Sequence, residues 1–304
     1  MADLNQVQAL RTALRKRYKG RQTVKSKVTL HYKENIDREY GRIIKAYYAL
    51  LASTIQTYLE KIFDAPTLYN GEKTRFNFDN AKDDFLRFIR RVFGRAKDDF
   101  HGRADDFKLR DKVERIGNLT TRLSANEWKR VVEKTLGINI LDDYYLGEFY
   151  ADQLRVWIDD NVGLISTLPD ELLTEMQGIV EDGFLNGKSN RDIVKSIQER
   201  FGVSRNKASF YATDQLSKLN ASITQQQQTS CGVEEYVWSS SRDQRVRDRH
   251  AQLDGTKHRW DDPPIVDTKA GRRAHPGEDY RCRCVALPVF NIENIKLPWE
   301  IKIK

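Results

Sequence analysis

Cysteine is scarce, with three in 304 residues, and Cys231 stands apart from Cys282 and Cys284. That number and spacing exclude a disulfide framework and fit thiols kept reduced, as in a cytoplasmic protein. No apolar run approaches the ~20 residues of a bilayer-spanning helix, and Met1 to Leu10 lacks the apolar core of a secretory signal. The expectation is a chain made in the cytoplasm that does not enter a membrane. Proline numbers only seven, and the brief glutamine run Gln225–Gln228 is too short for a low-complexity domain. What is present is charge: 32% of residues are Asp, Glu, Lys or Arg, against 39% hydrophobic, in a length that suits two domains.

The net charge of +8 is unevenly spread. Arg11, Arg15, Lys16, Arg17, Lys19, Arg21, Lys25 and Lys27 follow one another with no acidic residue between them. A block of one sign repels itself, so residues 1–34 read as an arm, extended or weakly helical until a polyanion neutralises it. Double-stranded DNA is the expected partner, bound through phosphates without regard to sequence, with Tyr18 and Tyr32 available to stack on bases. The alternative is a solvated tail or one that docks on an acidic protein.

Residues 35–122 read as an N-terminal helical region. Apolar residues from Ile36 to Ile62 fall three and four apart, which predicts a long amphipathic helix broken at Pro66 and Asn70-Gly71. Ala81-Lys82-Asp83-Asp84-Phe85 recurs as Ala96-Lys97-Asp98-Asp99-Phe100 and in part at Ala104, a charged face with phenylalanines that dock on a neighbour. His101 is expected to face solvent. Residues 123–230 predict a bundle of successive short helices. Ser124-x-x-Glu127 forms a capping box and Gly137 an end; Tyr144, Tyr145, Phe149 and Trp157 share an apolar face. Pro169 stands near a start, Gly187 at an end, and Ser189-x-x-Asp192 caps a short helix that Gly202 closes. Ser204 caps the last helix, whose end the glutamines extend or fray.

Residues 231–290 carry most of the chemistry. Val233–Trp238 and Cys282–Val289 have strand composition, Asp254-Gly255 a tight turn, and Pro263-Pro264 and Gly271 an irregular loop. The stretch 242–288 holds His250, His258, His275, Cys282 and Cys284: three of the five histidines and two of the three cysteines. Thiolate and imidazole together suit tetrahedral zinc, and residues two apart on a strand share a face. The expected ligands are His250, His275, Cys282 and Cys284, with His258 in reserve. Zinc would then staple the loop and make metal binding part of folding. The alternative is free thiols and histidines that only hydrogen-bond. Residues 291–304 are a tail around Pro298, suited to an edge strand or to docking onto a partner.

Asp243-x-Arg245-Val246-Arg247-x-x-His250-x-x-Leu253-x-Gly255, then His275-Pro276-Gly277-Glu278-Asp279 and Cys282-Arg283-Cys284, resemble the C-terminal signature of the phage Mu F-like head morphogenesis family. Asn161-x-x-Leu164-Ile165, Gly187-Lys188-Ser189-x-x-Asp192-Ile193 and Ala212-Thr213-Asp214-Gln215 are similar to its helical part. The resemblance implies a minor head protein of a tailed double-stranded DNA phage. Such a protein resides in the virion, is made in the host cytoplasm, is associated with the portal protein, capsid or scaffold components and packaged DNA, and can leave the head with the genome. It also implies a structural-motif role for Asp243, which fixes the loop, beside Arg245, Asp254 and Gly255. The fold class expected is α+β, mainly α: an N-terminal helical region followed by a small mixed α/β C-terminal domain stapled by zinc. No catalytic residue is assigned. The competing reading is a zinc-dependent nuclease or hydrolase in which His250 or Asp254 and the metal activate water; four protein ligands would close the shell against it.

Overall fold

The computed structural model describes residues 4–26, 28–63, 78–140, 148–297 and 301–303. Lys27, the break at Pro66 and Asn70-Gly71, Tyr144, Tyr145 and Pro298 lie outside them. The elements run α1 (Leu4–Arg17), β1 (Thr23–Lys25), α2 (Glu34–Phe63), α3 (Phe78–Phe107), α4 (Leu109–Leu136), β2 (Ile138–Ile140), α5 (Glu148–Leu185), α6 (Asn190–Ser230), β3 (Glu235–Ser239), α7 (Asp248–Leu253), β4 (Lys257–Arg259), β5 (Ile265–Asp267), β6 (Arg272–Arg273), β7 (Val285–Asn291) and β8 (Ile301–Ile303). The chain is mainly helical, with its small sheets drawn mostly from the C-terminal part. It divides into two compact units, one of Met1–Arg38, Glu114–Ile158 and Thr213–Lys304, the other of Glu39–Val113 and Asp159–Ala212.

Among its described residues the second unit is built from helices and short turns, without a strand. On α2 the spacing that predicts one apolar face buries Tyr40, Ile44, Tyr47 and Leu51. The repeated phenylalanines of α3 dock as their spacing suggests: Phe100 meets Tyr47 edge-on at 5.5 Å, Phe107 the same ring at 5.3 Å, and Phe85 meets Phe184 at 3.9 Å. His101 is half-exposed and bonded to Asp170 at 2.8 Å.

Several predicted helix boundaries are absent. Helix α4 runs through the Ser124–Glu127 box: Ser124 is buried and Glu127 pairs with Lys33 instead of capping. Pro169 lies inside α5, whose buried stripe of Ile165, Leu168, Leu172 and Leu173 passes it without a break. Burial of that stripe outweighs the one hydrogen bond a proline removes. Helix α6 starts where Ser189 predicts, its Oγ accepting the Asp192 N–H at 3.2 Å, but Gly202 does not end it. Ser204, expected as a cap, is buried within it and bonded to the Tyr48 hydroxyl at 2.9 Å. Of the two outcomes expected for the glutamines, extension holds: α6 runs through them to Ser230, and Gln228 donates to the Ala286 carbonyl at 2.8 Å and accepts from Trp260 Nε1 at 3.2 Å. Because nothing beyond its own stretch of helix lies within 4 Å of where a Cβ on Gly202 would stand, Gly202→Ala should stabilise the protein by about 0.5–1 kcal/mol. A denaturant titration reads this, and a loss of stability would contradict a continuous α6.

The first unit holds a four-stranded antiparallel sheet of order β1-β7-β3-β4 and two two-stranded sheets, β2-β8 and β5-β6. The two faces of β3 separate two clusters. Tyr236 and Trp238 join Leu253, Trp260, Cys282, Cys284 and Ala286 on one side, while Val237 packs with Leu287 and Val289 on the other.

The basic arm is not a free tail. Residues 4–17 form a helix that buries Leu10 and Leu14, and residues 23–25 form an edge strand. The positive charges collect in its last turn, at Arg15, Lys16 and Arg17, where the helix dipole favours cations over extended chain. Arg15 forms two bonds to Glu293, at 2.8 and 2.5 Å, and Arg11 donates to the Ile295 carbonyl at 3.3 Å. Tyr18 donates to the Thr135 carbonyl at 2.6 Å, and half-buried Tyr32 hydrogen-bonds Ser217 at 3.4 Å, so both hydroxyls are engaged within the chain. Lys16, Arg17, Lys19, Arg21 and Lys25 remain exposed.

Candidate metal centre

Helix α7 turns His250 and Leu253, three residues apart, to the same inner face, and His250 is 2% exposed. Its Nδ1 lies 3.4 Å from Cys282 Sγ and 3.6 Å from Cys284 Sγ. The three donor atoms lie within 4.8 Å of one another, and His250, Cys282 and Cys284 can hold a metal ion. The distances themselves test the fit. With Zn–N of about 2.0–2.1 Å and Zn–S of about 2.3 Å, a tetrahedral N···S edge is about 3.6 Å. The nitrogen and the two sulfurs already stand close to that spacing.

The cysteines do not sit on a strand as expected. They precede β7, in an irregular stretch entered through Arg281, whose φ of 48° is unusual for a non-glycine residue. The turn before them is tightly held. His275 N–H donates to Glu278 Oε2 at 2.6 Å, Cys282 N–H to the Asp279 carbonyl at 2.9 Å, and Arg281 N–H to Asp214 Oδ1 at 2.9 Å. Gly277 has a φ of 92°, and a Cβ there would meet Ala221 at 3.0 Å, so only glycine fits the turn. That turn aims the Gly277 N–H at Cys282 Sγ, 3.4 Å away, and the Cys284 N–H points at the same sulfur at 3.4 Å.

These contacts set the charge. The hydrogen bond from Cys284 holds Cys282 well below the ordinary thiol value, with His250 contributing in the same direction against the cost of burial. Cys284 is raised by the same bond and by its own burial. The two shifts run in opposite directions, so Cys282 gives up its proton more readily than Cys284.

His275, expected as the fourth ligand, does not join the group. Its Nδ1 is bonded to the Tyr236 hydroxyl at 2.9 Å, its ring lies 4.8 Å from that of Trp260, and burial holds its pKa below the usual imidazole value. Two aromatic neighbours claim it for the core. The reserve ligand His258 bonds Thr256 at 2.7 Å instead. The residue that sequence reasoning left without a role is Asp279. Its side chain is 1% exposed, and Oδ2 stands 3.2 Å from His250 Nε2 and 3.3 Å from Arg247 Nη1. Arg272 lies 3.0 Å from Oδ1 as a charge pair, without hydrogen-bond geometry. A carboxylate on the far nitrogen of a ligating imidazole fixes its tautomer and orientation. The available signal was a carboxylate three residues before the first cysteine, in the motif that also supplies Gly277.

The remaining motif residues build the frame. Asp243 Oδ1 accepts from Arg283 Nη2 at 2.6 Å and from the Arg245 N–H at 3.0 Å, and the bond from Arg283 lowers its pKa. Arg245 also lies 3.8 Å from Glu34. Asp254 accepts from Ser240 N–H at 2.8 Å and from Arg242 at 3.0 Å, while Gly255, with a φ of 81°, donates to the Trp238 carbonyl at 2.8 Å. The exposed basic residues of the arm are not part of this centre.

Residues 174–287, which contain His250, Asp279, Cys282 and Cys284, match the family model described as Phage Mu protein F like protein. A Haemophilus influenzae protein described as uncharacterized is 37% identical over 131 residues, which is 43% of this chain and 28% of that protein. The chain thus aligns with little more than a quarter of that relative's length. No solved structure matches the chain.

Proposed function

We propose, from the match of residues 174–287 to the family model described as Phage Mu protein F like protein, that the chain is a minor head protein acting in phage head morphogenesis. The family match is the single observation that carries this reading. On it the protein resides in the virion after synthesis in the host cytoplasm, contacts the portal protein and capsid or scaffold components, and lies against packaged double-stranded DNA with which it can leave the head. No helix of the described residues is long and apolar enough to cross a membrane. Co-expression with the portal protein of the same phage tests the assignment: the two are expected to elute as one complex, and separate elution at micromolar concentration would contradict it.

Within that reading, the metal is zinc and its role is structural. His250, Cys282 and Cys284 would hold it, tying α7 to the turn that leads into β7. Two sulfurs and a nitrogen match the preference of zinc, and coordination would supply folding free energy to a part of the chain built from short strands. The DNA contact is assigned to the exposed side chains of the arm. Replacing Lys16, Arg21 and Lys25 by glutamine should reduce the slope of log K against log salt by about 2–3, since each lost phosphate contact removes roughly 0.9. An unchanged slope would assign the contact elsewhere.

The second reading, a zinc-dependent hydrolase, gains from one observation: three protein donors, unlike four, leave a coordination position for water. A nuclease assay of the zinc-loaded chain, with His250→Ala as control, separates the two. We expect no cleavage in either.

A further inference from the structure

The three donors border a cavity of ≈ 240 Å³ whose walls include Arg245, Arg247, Arg281 and Arg283. A smaller void of ≈ 40 Å³ touches the two cysteines but not His250. The arginine-lined cavity is thus bordered by all three donors, the smaller void by the two sulfurs alone. No fourth His, Cys, Asp or Glu among the described residues completes the set.

Bonds to neighbouring groups hold several of these arginines. Arg283 is held by Asp243 at 2.6 Å and Glu34 at 3.3 Å. Arg247 is held by Asp279 at 3.3 Å and the Tyr280 carbonyl at 2.5 Å. Arg281 takes a left-handed backbone, φ 48°, in the residue next to Cys282, with its N–H anchored on Asp214. A non-glycine residue held in that region carries a conformational cost that the surrounding bonds must offset, and such costs concentrate at binding sites. Asp37 is the carboxylate residue on the cavity wall. A guanidinium carries five N–H donors in a planar fork, so one already paired with a carboxylate keeps others to offer.

We propose that this cavity is an oxyanion site: the fourth coordination position of the metal centre is completed by a phosphate-class oxygen from outside the chain, clamped by Arg245, Arg247, Arg281 and Arg283. The inference rests on the metal reading given above. Two thiolates cancel the charge of a divalent ion, so the attraction for an anion comes from the guanidinium groups and the bond itself only from the open corner. A free phosphate and a terminal phosphate of nucleic acid share this chemistry.

The test loads the full-length protein with cobalt(II), whose visible absorption reports its ligands, and reads two quantities. Metal per chain is measured first, with one cobalt expected. Inorganic phosphate is then titrated in, followed by a short DNA oligonucleotide with and without a 5′-phosphate. A saturable spectral shift with phosphate is expected, weakened at least tenfold in Arg245→Gln/Arg281→Gln while cobalt stays at one per chain. A shift with the phosphorylated oligonucleotide but not its unphosphorylated twin would assign the site to nucleic-acid ends; a shift with inorganic phosphate alone would assign it to the free ion. One cobalt bound with a spectrum that phosphate does not move would overturn the oxyanion site and leave the metal centre standing. Absence of bound cobalt would overturn the metal reading and this inference with it.

Discussion

Asp279→Ala is expected to lower the unfolding free energy by about 3 kcal/mol. Removing one partner of a buried ion pair costs about 3–5 kcal/mol, and the low end applies here because two of the three partners can rehydrate. Arg247 and Arg272 have side chains 48% and 38% exposed, whereas His250 is 2% exposed and would keep an unpaired ring nitrogen. Metal affinity should fall about 10–100-fold in the same variant, the usual consequence of losing the carboxylate that orients a ligating imidazole. Asp279→Asn retains an acceptor and should recover part of both. Denaturant unfolding and a zinc competition titration read the two effects. A stability loss with unchanged affinity would reduce Asp279 to a packing residue.

The second large effect is linkage between zinc and folding. With free zinc a thousandfold above Kd, binding stabilises the chain by about 4 kcal/mol. Cys282→Ser should forfeit that contribution. The substitution removes the sulfur that both the Gly277 and Cys284 N–H groups support. The gap between wild type and variant should therefore be wide in zinc and narrow in excess chelator. Affinity in the wild type should rise with pH, because the proton on Cys284, which neighbouring Cys282 and burial hold in place, must leave before that sulfur can ligate. Equal gaps with and without chelator would mean that no ion contributes to folding.

Much of this centre was legible from residue type alone, and the failures have physical causes. Three of the four ligands expected were brought together because sulfur and imidazole rarely cluster without reason. His275 was misplaced because spacing says nothing about which aromatic rings will surround a ring nitrogen, and Tyr236 and Trp260 arrive from β3 and the turn after β4. The cysteine spacing suggested a strand, yet a left-handed Arg281 and a glycine-only turn at Gly277 bring the sulfurs to His250 by another route. Helix periodicity was reliable on α2 and on the phenylalanine face of α3. Boundaries were mixed: Gly137, Gly187, Ser189 and Gly232 stand at helix ends as predicted, whereas Ser124, Pro169, Gly202 and Ser204 each carry a local signal for an end that was overridden by buried residues continuing through the helix. The arm shows the same limit from the opposite side. Its charge was plain, but Leu10 and Leu14 and the pairing of Arg15 with Glu293, distant in sequence, decide its structure.

The central claim, that one imidazole and two sulfurs bind an ion while the second imidazole does not, is tested most directly by counting zinc in the purified full-length chain beside two variants. Wild type and His275→Ala are predicted to carry about one zinc each, and Cys282→Ser close to none. Loss of zinc from His275→Ala to the level of Cys282→Ser, or no zinc in any of the three, would contradict the account.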